Sequence, residues 1–224
     1  MKVINVAIDG PAGAGKSTIS RKAASELGYI YIDTGALYRT VGLNAIRLGA
    51  DIQNDSAVIA TLTDDLKVEL RFVDGEQRMF LNGEDVSADI RTPEASMAAS
   101  RVSSVPKVRE YLFDLQKELA RNNNCIMDGR DIGTVVLPDA DVKIFLTASP
   151  EARAERRYKE LREKGMDVKL EDVLADMIKR DYDDSHRAIA PLKQADDAVL
   201  CDTSKLTLEE SIELVISTIK NNIE

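Results

Sequence analysis

Gly10-Pro11-Ala12-Gly13-Ala14-Gly15-Lys16-Ser17 fits the pattern G-x-x-x-x-G-K-[ST], whose chemistry is phosphate binding. Its glycines let backbone N–H groups converge on phosphate oxygens, and the N-terminus of a following helix adds partial positive charge. Lys16 supplies a mobile full charge, and the Ser17 hydroxyl is of the type that meets Mg²⁺. The flanks decide whether the pattern carries this meaning. Before it, residues 3–9 form an apolar run with the length of a buried strand. After it, residues 17–27 are helix-compatible and end at Gly28. Strand, glycine loop and helix is the context that makes such a loop a phosphate site. A nucleoside triphosphate is the expected ligand.

Four further groups place charge where ligand chemistry would use it. Asp33-Thr34-Gly35-Ala36-Leu37-Tyr38-Arg39 opens a helix capped by Asp33 or Thr34, with Arg39 one or two turns in. It reads as part of a phosphate site or as a capped helix with a solvated arginine. Asp128-Gly129-Arg130-Asp131-Ile132-Gly133 puts a charged pair in a glycine-flanked turn after a strand, either a ligand edge or a solvated turn. Further on, Arg153, Arg156, Arg157 and Arg162 interleave with Glu151, Glu155, Glu160 and Glu163. The i,i+4 pairs Glu155–Lys159 and Glu160–Lys164 stabilise a helix and account for part of that charge. They leave Arg153 and Arg157, four apart beside Arg156, as a face suited to polyphosphate and to phosphoryl transfer. Arg180, Asp184 and Arg187 share a helical face, as a surface ion-pair ladder or a substrate clamp. His186 has no partner histidine or cysteine at ligand spacing and reads as a surface residue.

Five strand-like runs must position these groups: residues 3–9, 29–33, 124–128, 142–148 and 198–202. Helical stretches separate them, the alternation expected of an α/β fold with a parallel sheet wrapped by helices. Four of the runs end in an aspartate (Asp9, Asp33, Asp128, Asp202), along the carboxyl edge where open α/β sheets bind ligands. Ser149-Pro150-Glu151 and Thr92-Pro93-Glu94 each supply an N-cap, a first-turn proline and an early acid. Thr207-Leu208-Glu209-Glu210 is a capping box opening a last helix with Leu208, Ile212, Val215, Ile216 and Ile219 at helical spacing. Val173, Leu174, Met177 and Ile178 mark the buried face of the helix before it. One region breaks the alternation. Residues 67–73 and 78–82 read as a hairpin joined by Asp74-Gly75-Glu76-Gln77 and followed by Asn82-Gly83, within a small inserted subdomain.

The 224 residues are enough for one α/β domain with elaborations. A formal net charge of −9 argues against a nucleic-acid groove. Cys125 and Cys201 fall in strand-like runs, where buried inert thiols are usual. The chain enters a strand at once and meets Asp9, so no signal peptide is expected. No run of about 18 apolar residues is present to span a membrane. The expected setting is the cytoplasm.

A phosphate loop alone does not choose among kinases, GTPases and nucleic-acid motors. No aspartate in the chain is followed by glycine three positions on, and no Asn-Lys-x-Asp occurs, so a GTPase switch is disfavoured. The acidic charge and short length disfavour a motor. What remains is phosphorylation of a small molecule, with arginines neutralising two facing phosphate groups.

Ile8-Asp9-Gly10 with the rest of the loop, Asp33-Thr34-Gly35-Ala36-Leu37-Tyr38-Arg39 and Leu81-Asn82-Gly83-Glu84-Asp85-Val86-Ser87 follow one another in order. Behind them come Ile90-Arg91-Thr92, residues 127–136, residues 143–149 and Arg187-Ala188-Ile189-Ala190-Pro191-Leu192. Together they resemble the bacterial cytidylate kinases, P-loop nucleoside monophosphate kinases, over essentially the whole chain. The resemblance implies transfer of a phosphoryl group from ATP, with Mg²⁺, to CMP or dCMP. It implies a P-loop NTPase fold with a core at residues 1–35, 92–150 and 188–224. A monophosphate-binding region with the hairpin would occupy residues 36–91, and a short helical lid with the following substrate-binding helix residues 151–187.

Residue by residue, it implies ATP binding by Gly10, Pro11, Ala12, Gly13, Ala14, Gly15, Lys16, Ser17 and Thr18, with Ser17 the metal ligand. Thr34, Arg39 and Arg130 match residues that hold the acceptor nucleotide and its phosphate. Ser100, Arg109 and Asp131 match the cytosine-reading group, and Arg180, Asp184 and Arg187 the group around ribose and phosphate. Lys16 with Arg153 and Arg157 of the lid helix would act in catalysis, and Asp33 could assist through water or Mg²⁺. Thr34 stands where many relatives have Ser, and His186 where many have Asn. The partners implied are CMP, dCMP and ATP, with no nucleic acid or membrane, and a monomer is expected. UMP as acceptor and, from another class, a nucleotide-binding switch are the competing readings.

Overall fold

The computed structural model describes residues 2–73 and 76–223 of the chain. It divides into two compact units, residues 1–31 with 122–224, and residues 32–121.

In the first unit β1 (Asn5–Asp9) leads through the glycine loop into α1 (Lys16–Leu27). That helix ends where Gly28 turns left-handed at φ 70° and the Tyr29 N–H reaches back to the Ala24 carbonyl at 2.8 Å. β2 (Ile30–Asp33) follows, and the chain enters the second unit after Tyr31.

The second unit begins with α2 (Thr34–Arg47), whose first turn is capped by the Asp33 carboxylate accepting from the Ala36 N–H at 2.9 Å. A short helix α3 (Asp55–Ala60) precedes three antiparallel strands, β3 (Val68–Val73), β4 (Glu76–Leu81) and β5 (Glu84–Asp85). The expected hairpin is therefore present and gains a third strand. Asn82 and Gly83, at φ 50° and 86°, make the tight turn between β4 and β5. β4 starts at Glu76, so the strand takes up Glu76 and Gln77, which the sequence suggested as turn; Asp74 and Gly75 lie outside the described residues. The helices α4 (Pro93–Val102) and α5 (Pro106–Asn122) complete the unit. Its core gathers Leu37, Val41, Met79, Val86, Val102 and Leu112.

Back in the first unit come β6 (Cys125–Gly129), β7 (Val142–Thr147), α6 (Pro150–Glu163), α7 (Leu170–His186), β8 (Val199–Asp202) and α8 (Leu208–Ile223). The five core strands form one parallel sheet in the order β2-β6-β1-β7-β8. β1 pairs on both sides, with Asp9 opposite Gly129 and Phe145. Its burial on both faces explains the unbroken apolar run, because helices cover each side of such a sheet. Ile8, Ile19, Ile126, Leu146, Val215 and Ile219 fill the core between the sheet, α1 and α8. The Thr207–Glu210 capping box forms reciprocally, at 2.8 and 3.2 Å. Both cysteines are buried and unpaired. Two residues expected inward face out. Ile178, about 100° round the helix from Met177, is 51% exposed, and Leu208, in the first turn of α8, is 45% exposed. Among the described residues no helix is long and apolar enough to cross a membrane.

Gly42 shows how closely the second unit is packed. A Cβ there would stand 2.9 Å from Ala98 Cβ and 3.2 Å from the α4 backbone. Alanine at an open helical site gains about 0.5–1 kcal/mol over glycine, whereas overpacking costs about 1–3 kcal/mol. Gly42→Ala is therefore expected to destabilise the protein by about 1–2 kcal/mol. A lowered urea midpoint would bear this out, and a raised one would show that α2 and α4 separate easily.

Candidate active site

The glycine loop is pressed against the sheet and the helices behind it. A Cβ on Gly10 would lie 1.9 Å from the Leu146 carbonyl oxygen, and one on Gly13 would meet Met177 at 2.8 Å. Only glycine permits the first approach, and Gly13, at φ 75°, holds a left-handed backbone that favours glycine. Lys16, in the first turn of α1, is buried, and its ammonium donates to the Gly10 and Pro11 carbonyls at 2.7 and 2.8 Å. Burial and the nearby Arg130 guanidinium pull its pKa down to about 7, against the opposing pull of Asp128, Asp9 and Asp184. The loop thus surrounds a cation that lacks a full complement of negative charge.

Ser17 donates its hydroxyl to an Asp128 oxygen at 3.0 Å, and Tyr31 donates to the other at 3.2 Å. A hydroxyl beside a carboxylate is a hard-oxygen set. It suits Mg²⁺, which typically takes one or two protein ligands and completes its shell with water and phosphate oxygens. Among the described residues no cluster of three His, Cys, Asp or Glu could hold a metal unaided. Thr18 is exposed on α1, and Pro11, Ala12 and Ala14 are buried in the loop. Beside the loop lies a cleft of about 460 Å³, bordered by Pro11, Thr147, Ser149, Leu192 and Asp202.

The arginines divide sharply. Arg153 is 2% exposed, donating to the Ala148 and Ala12 carbonyls at 2.8 Å and pairing through both terminal nitrogens with Asp181. It ties the phosphate loop to α6 and α7. Arg156 donates to the Thr203 carbonyl at 2.6 Å. Arg157 is exposed enough to move, and its partner is Glu160 at 2.7 Å. The spacing had put Arg153 and Arg157 on one face, but packing buries one and leaves the other at the surface.

Asp184 is 8% exposed, so the Arg180–Asp184–Arg187 series is no surface ladder. Burial raises the Asp184 pKa, but Arg130, donating at 2.7 Å, with Arg180 and Arg187, more than reverses this and holds it below the usual carboxylate range. Arg187 lies 3.5 Å from Asp131 and donates from Nε to the Ala190 carbonyl. Arg130, Asp131, Asp184 and Arg187 are thus brought together, with Arg180 close enough to act on Asp184. His186 is exposed and stacks on Tyr182 with ring centroids 4.0 Å apart.

The second unit carries its own polar set. Arg39 pairs with Asp33 at 2.8 Å, while its Nε is buried with no hydrogen-bond partner. A buried, unanswered guanidinium N–H is costly unless an anion or water meets it. Thr34 is buried at the start of α2, and Ser100 is exposed on α4. Arg109 stands over the Tyr38 ring, 5.9 Å from its centroid.

Three groups escaped the sequence reading of the site. Asp128 was visible as the end of a strand-like run, the signal that a carboxylate faces the loop. Asp9 carried the same signal at the loop's own entrance. Asp181 gave none, because its meeting with Arg153 depends on how α6 and α7 pack.

A profile of the cytidylate kinase family matches residues 6–221. The chain belongs to the cytidylate kinase family. A cytidylate kinase of Caldicellulosiruptor bescii is 50% identical over the full length of both chains. One of Lactobacillus johnsonii is 49% identical over 97% of this chain and 94% of its own. The crystal structure of an uncharacterized protein from Eubacterium ventriosum covers 98% of this chain and 99% of that one, with a TM-score of 0.56 at 14% identity, a likeness of fold alone.

In this family member the Arg153–Asp181 pair is expected to brace the loop. Removing one partner of a fully buried pair costs about 3–5 kcal/mol, less here because Asp181 is a quarter exposed and two carbonyls remain. Asp181→Ala should therefore lower unfolding free energy by about 1–3 kcal/mol. An unchanged urea transition would show that the carbonyls alone suffice.

Proposed function

We propose that this chain transfers the γ-phosphoryl group of ATP directly to CMP, and to dCMP, giving the diphosphate. One observation carries the reading: a formed phosphate loop with a buried lysine, in a chain matched along nearly its whole length by the cytidylate kinase family. Nothing favours UMP as acceptor or a nucleotide switch. Kinases of this kind use ATP and Mg²⁺.

The division of labour follows from charge. Two nucleotides bring several negative charges face to face, and their approach is repelled unless cations offset it. Lys16, with the N–H groups of Gly10 and of Ala12 to Thr18, would hold the ATP phosphates, and Pro11, which has no N–H, would shape the loop between them. Lys16 would exchange two backbone carbonyls for phosphate oxygens, a partner with full charge. Ser17, with Asp128 behind it, would hold Mg²⁺, which supplies neutralisation of phosphate charge. Thr34, Arg39 and Arg130 are the groups proposed for the acceptor phosphate. Arg180, Asp184 and Arg187 would serve the acceptor's ribose and phosphate.

Ser100, Arg109 and Asp131 are proposed for the base. Cytosine presents an amino donor where uracil presents a carbonyl, so a carboxylate accepts from one and opposes the other. Residues 36–91 would form the monophosphate-binding region and residues 151–187 the lid and substrate helix. Arg157 is the arginine most suited to meet charge as it redistributes, because it is not committed to a buried contact. Arg153 is better suited to positioning. Asp33 already caps α2 and pairs with Arg39, so any assistance from it would pass through water. No strong general base is required, because phosphoryl transfer is dominated by positioning and electrostatics.

A coupled assay of ATP consumption across CMP, dCMP, UMP, AMP and GMP tests the reading, and turnover independent of any acceptor would refute it. Lys16→Met should reduce turnover by about 100- to 1,000-fold in a folded protein, the usual cost of one transition-state donor. An unaltered kcat in that variant removes the loop from the chemistry. Arg157→Ala should lower kcat more than it weakens CMP binding, the signature of an interaction made in the transition state. If only CMP affinity falls, Arg157 belongs to acceptor binding.

A further inference from the structure

One polar side chain of the second unit sits where packing does not ask for it. Side chains alternate along β4, and its inward row runs Gln77, Met79, Leu81. Met79 and Leu81 are buried in the core of that unit. Gln77 continues the row with an amide, where an apolar residue would complete the face. Its Oε1 accepts from the Asp33 N–H at 2.9 Å, and its Nε2 lies 3.7 Å from the Met79 sulfur. β2, which Asp33 ends, is an edge strand, and N–H groups on the open side of such a strand need an acceptor from elsewhere. Gln77 supplies it for Asp33.

The polar set at the start of α2 depends on that bond. The Asp33 carboxylate has two tasks: Oδ1 accepts from the Ala36 N–H at 2.9 Å, and Oδ2 accepts from Arg39 Nη2 at 2.8 Å. Arg39 folds back over the first turn of its own helix. A Cβ on Gly35 would stand 3.0 Å from both Arg39 Nη1 and Asp33 Oδ1. The Arg39 Nε is buried and has no hydrogen-bond partner. One carboxylate therefore orients the guanidinium, and the peptide that Gln77 holds orients that carboxylate. All of these residues lie in the second unit, residues 32–121.

We propose that Gln77 is a positioning residue for the acceptor phosphate: through the Asp33 N–H it fixes the carboxylate that aims the Arg39 guanidinium. The inference rests on the reading that Arg39 meets that phosphate. It gives the antiparallel insert a part in binding, by way of a strand that carries none of the groups assigned to phosphate. In Gln77→Met the side chain keeps its length and its place on the apolar row, and the Asp33 N–H loses its acceptor. The last peptide of β2 then turns toward another partner, because a half-buried N–H left unanswered is costly, and Asp33 and Arg39 turn with it.

The test compares KM and kcat for CMP and for UMP, with the KM for ATP, in Gln77→Met, Arg39→Ala and the double variant. Gln77→Met should raise the KM for CMP by about 3- to 10-fold, the scale of one lost hydrogen bond. Its kcat should change less, and the KM for ATP should stay within about twofold, because only acceptor binding is disturbed. The KM for UMP should rise in proportion, since the two acceptors share the phosphate and differ in the base. Added to Arg39→Ala, Gln77→Met should have no further effect. If Arg39→Ala leaves the KM for CMP unchanged, Arg39 does not serve the phosphate, and the role of Gln77 falls with it. If Arg39→Ala raises that KM and folded Gln77→Met does not, the reading of Arg39 stands and the positioning role is overturned. A lowered kcat with every KM intact also overturns it, since a smaller folded fraction gives that result. So does a full additional rise in the double variant. Should Gln77→Met not fold, Gln77→Leu, which continues the row of Met79 and Leu81, decides by the same KM values.

Discussion

A buried ammonium at the carboxyl edge of a parallel sheet constrains everything around it. Lys16 cannot be desolvated without acceptors, and the resting loop supplies two of its own carbonyls. Those are dipoles, not charges, and the lowered pKa of the lysine records the shortfall. The aspartates at the ends of β1 and β6 and within α7 make up part of it from a distance, and Arg130 works against them. A polyphosphate would offer what these groups do not, full negative charge in direct contact.

The same reasoning separates the arginines. A guanidinium taken out of water must have its donors answered, and Arg153 has: two carbonyls and a carboxylate surround it. A side chain so committed cannot swing to a substrate without leaving Asp181 buried and unbalanced. Arg157, one turn along α6, carries the same charge with a surface carboxylate as partner, an interaction worth little to break. Identical residue types four positions apart therefore have different freedom to move. That freedom comes from packing against the loop and α7, not from the helix that carries both.

Much of this was legible in the sequence because local rules fix it. The loop pattern between an apolar run and a helix, the proline-bearing caps at Thr92 and Ser149, and the Thr207 capping box all formed as their spacing required. Two of the strand-terminal aspartates, Asp9 and Asp128, stand beside the loop, as their places at the carboxyl edge suggest. Packing hid the rest. Arg153 and Arg157 look alike along the chain, and Asp181 is one acid among several in α7. Ile178 has the composition of a core residue but sits about 100° round from the buried stripe. The Ile132–Val136 turn has no familiar signature, because Asp9, which caps it, lies more than a hundred positions away.

Asp9 and Asp184 show that this cluster is not arranged for stability alone. Asp184 is held below the usual carboxylate range, so the stability it contributes is present at neutral pH and lost as pH falls through its folded value. Asp9 has the opposite sign. With its pKa raised by burial from 3.8 to about 6, the folded state binds the extra proton between those values, and stability falls as pH rises across that window. Keeping Asp9 ionised at neutral pH costs about 3 kcal/mol, a large fraction of the 5–15 kcal/mol typical of a folded domain. An uncharged acceptor at the same place would avoid that cost but would satisfy only one of the two amides that Asp9 meets, those of Ile132 and Gly133. The carboxylate answers both at once, and leaving either buried amide unanswered would carry its own desolvation cost.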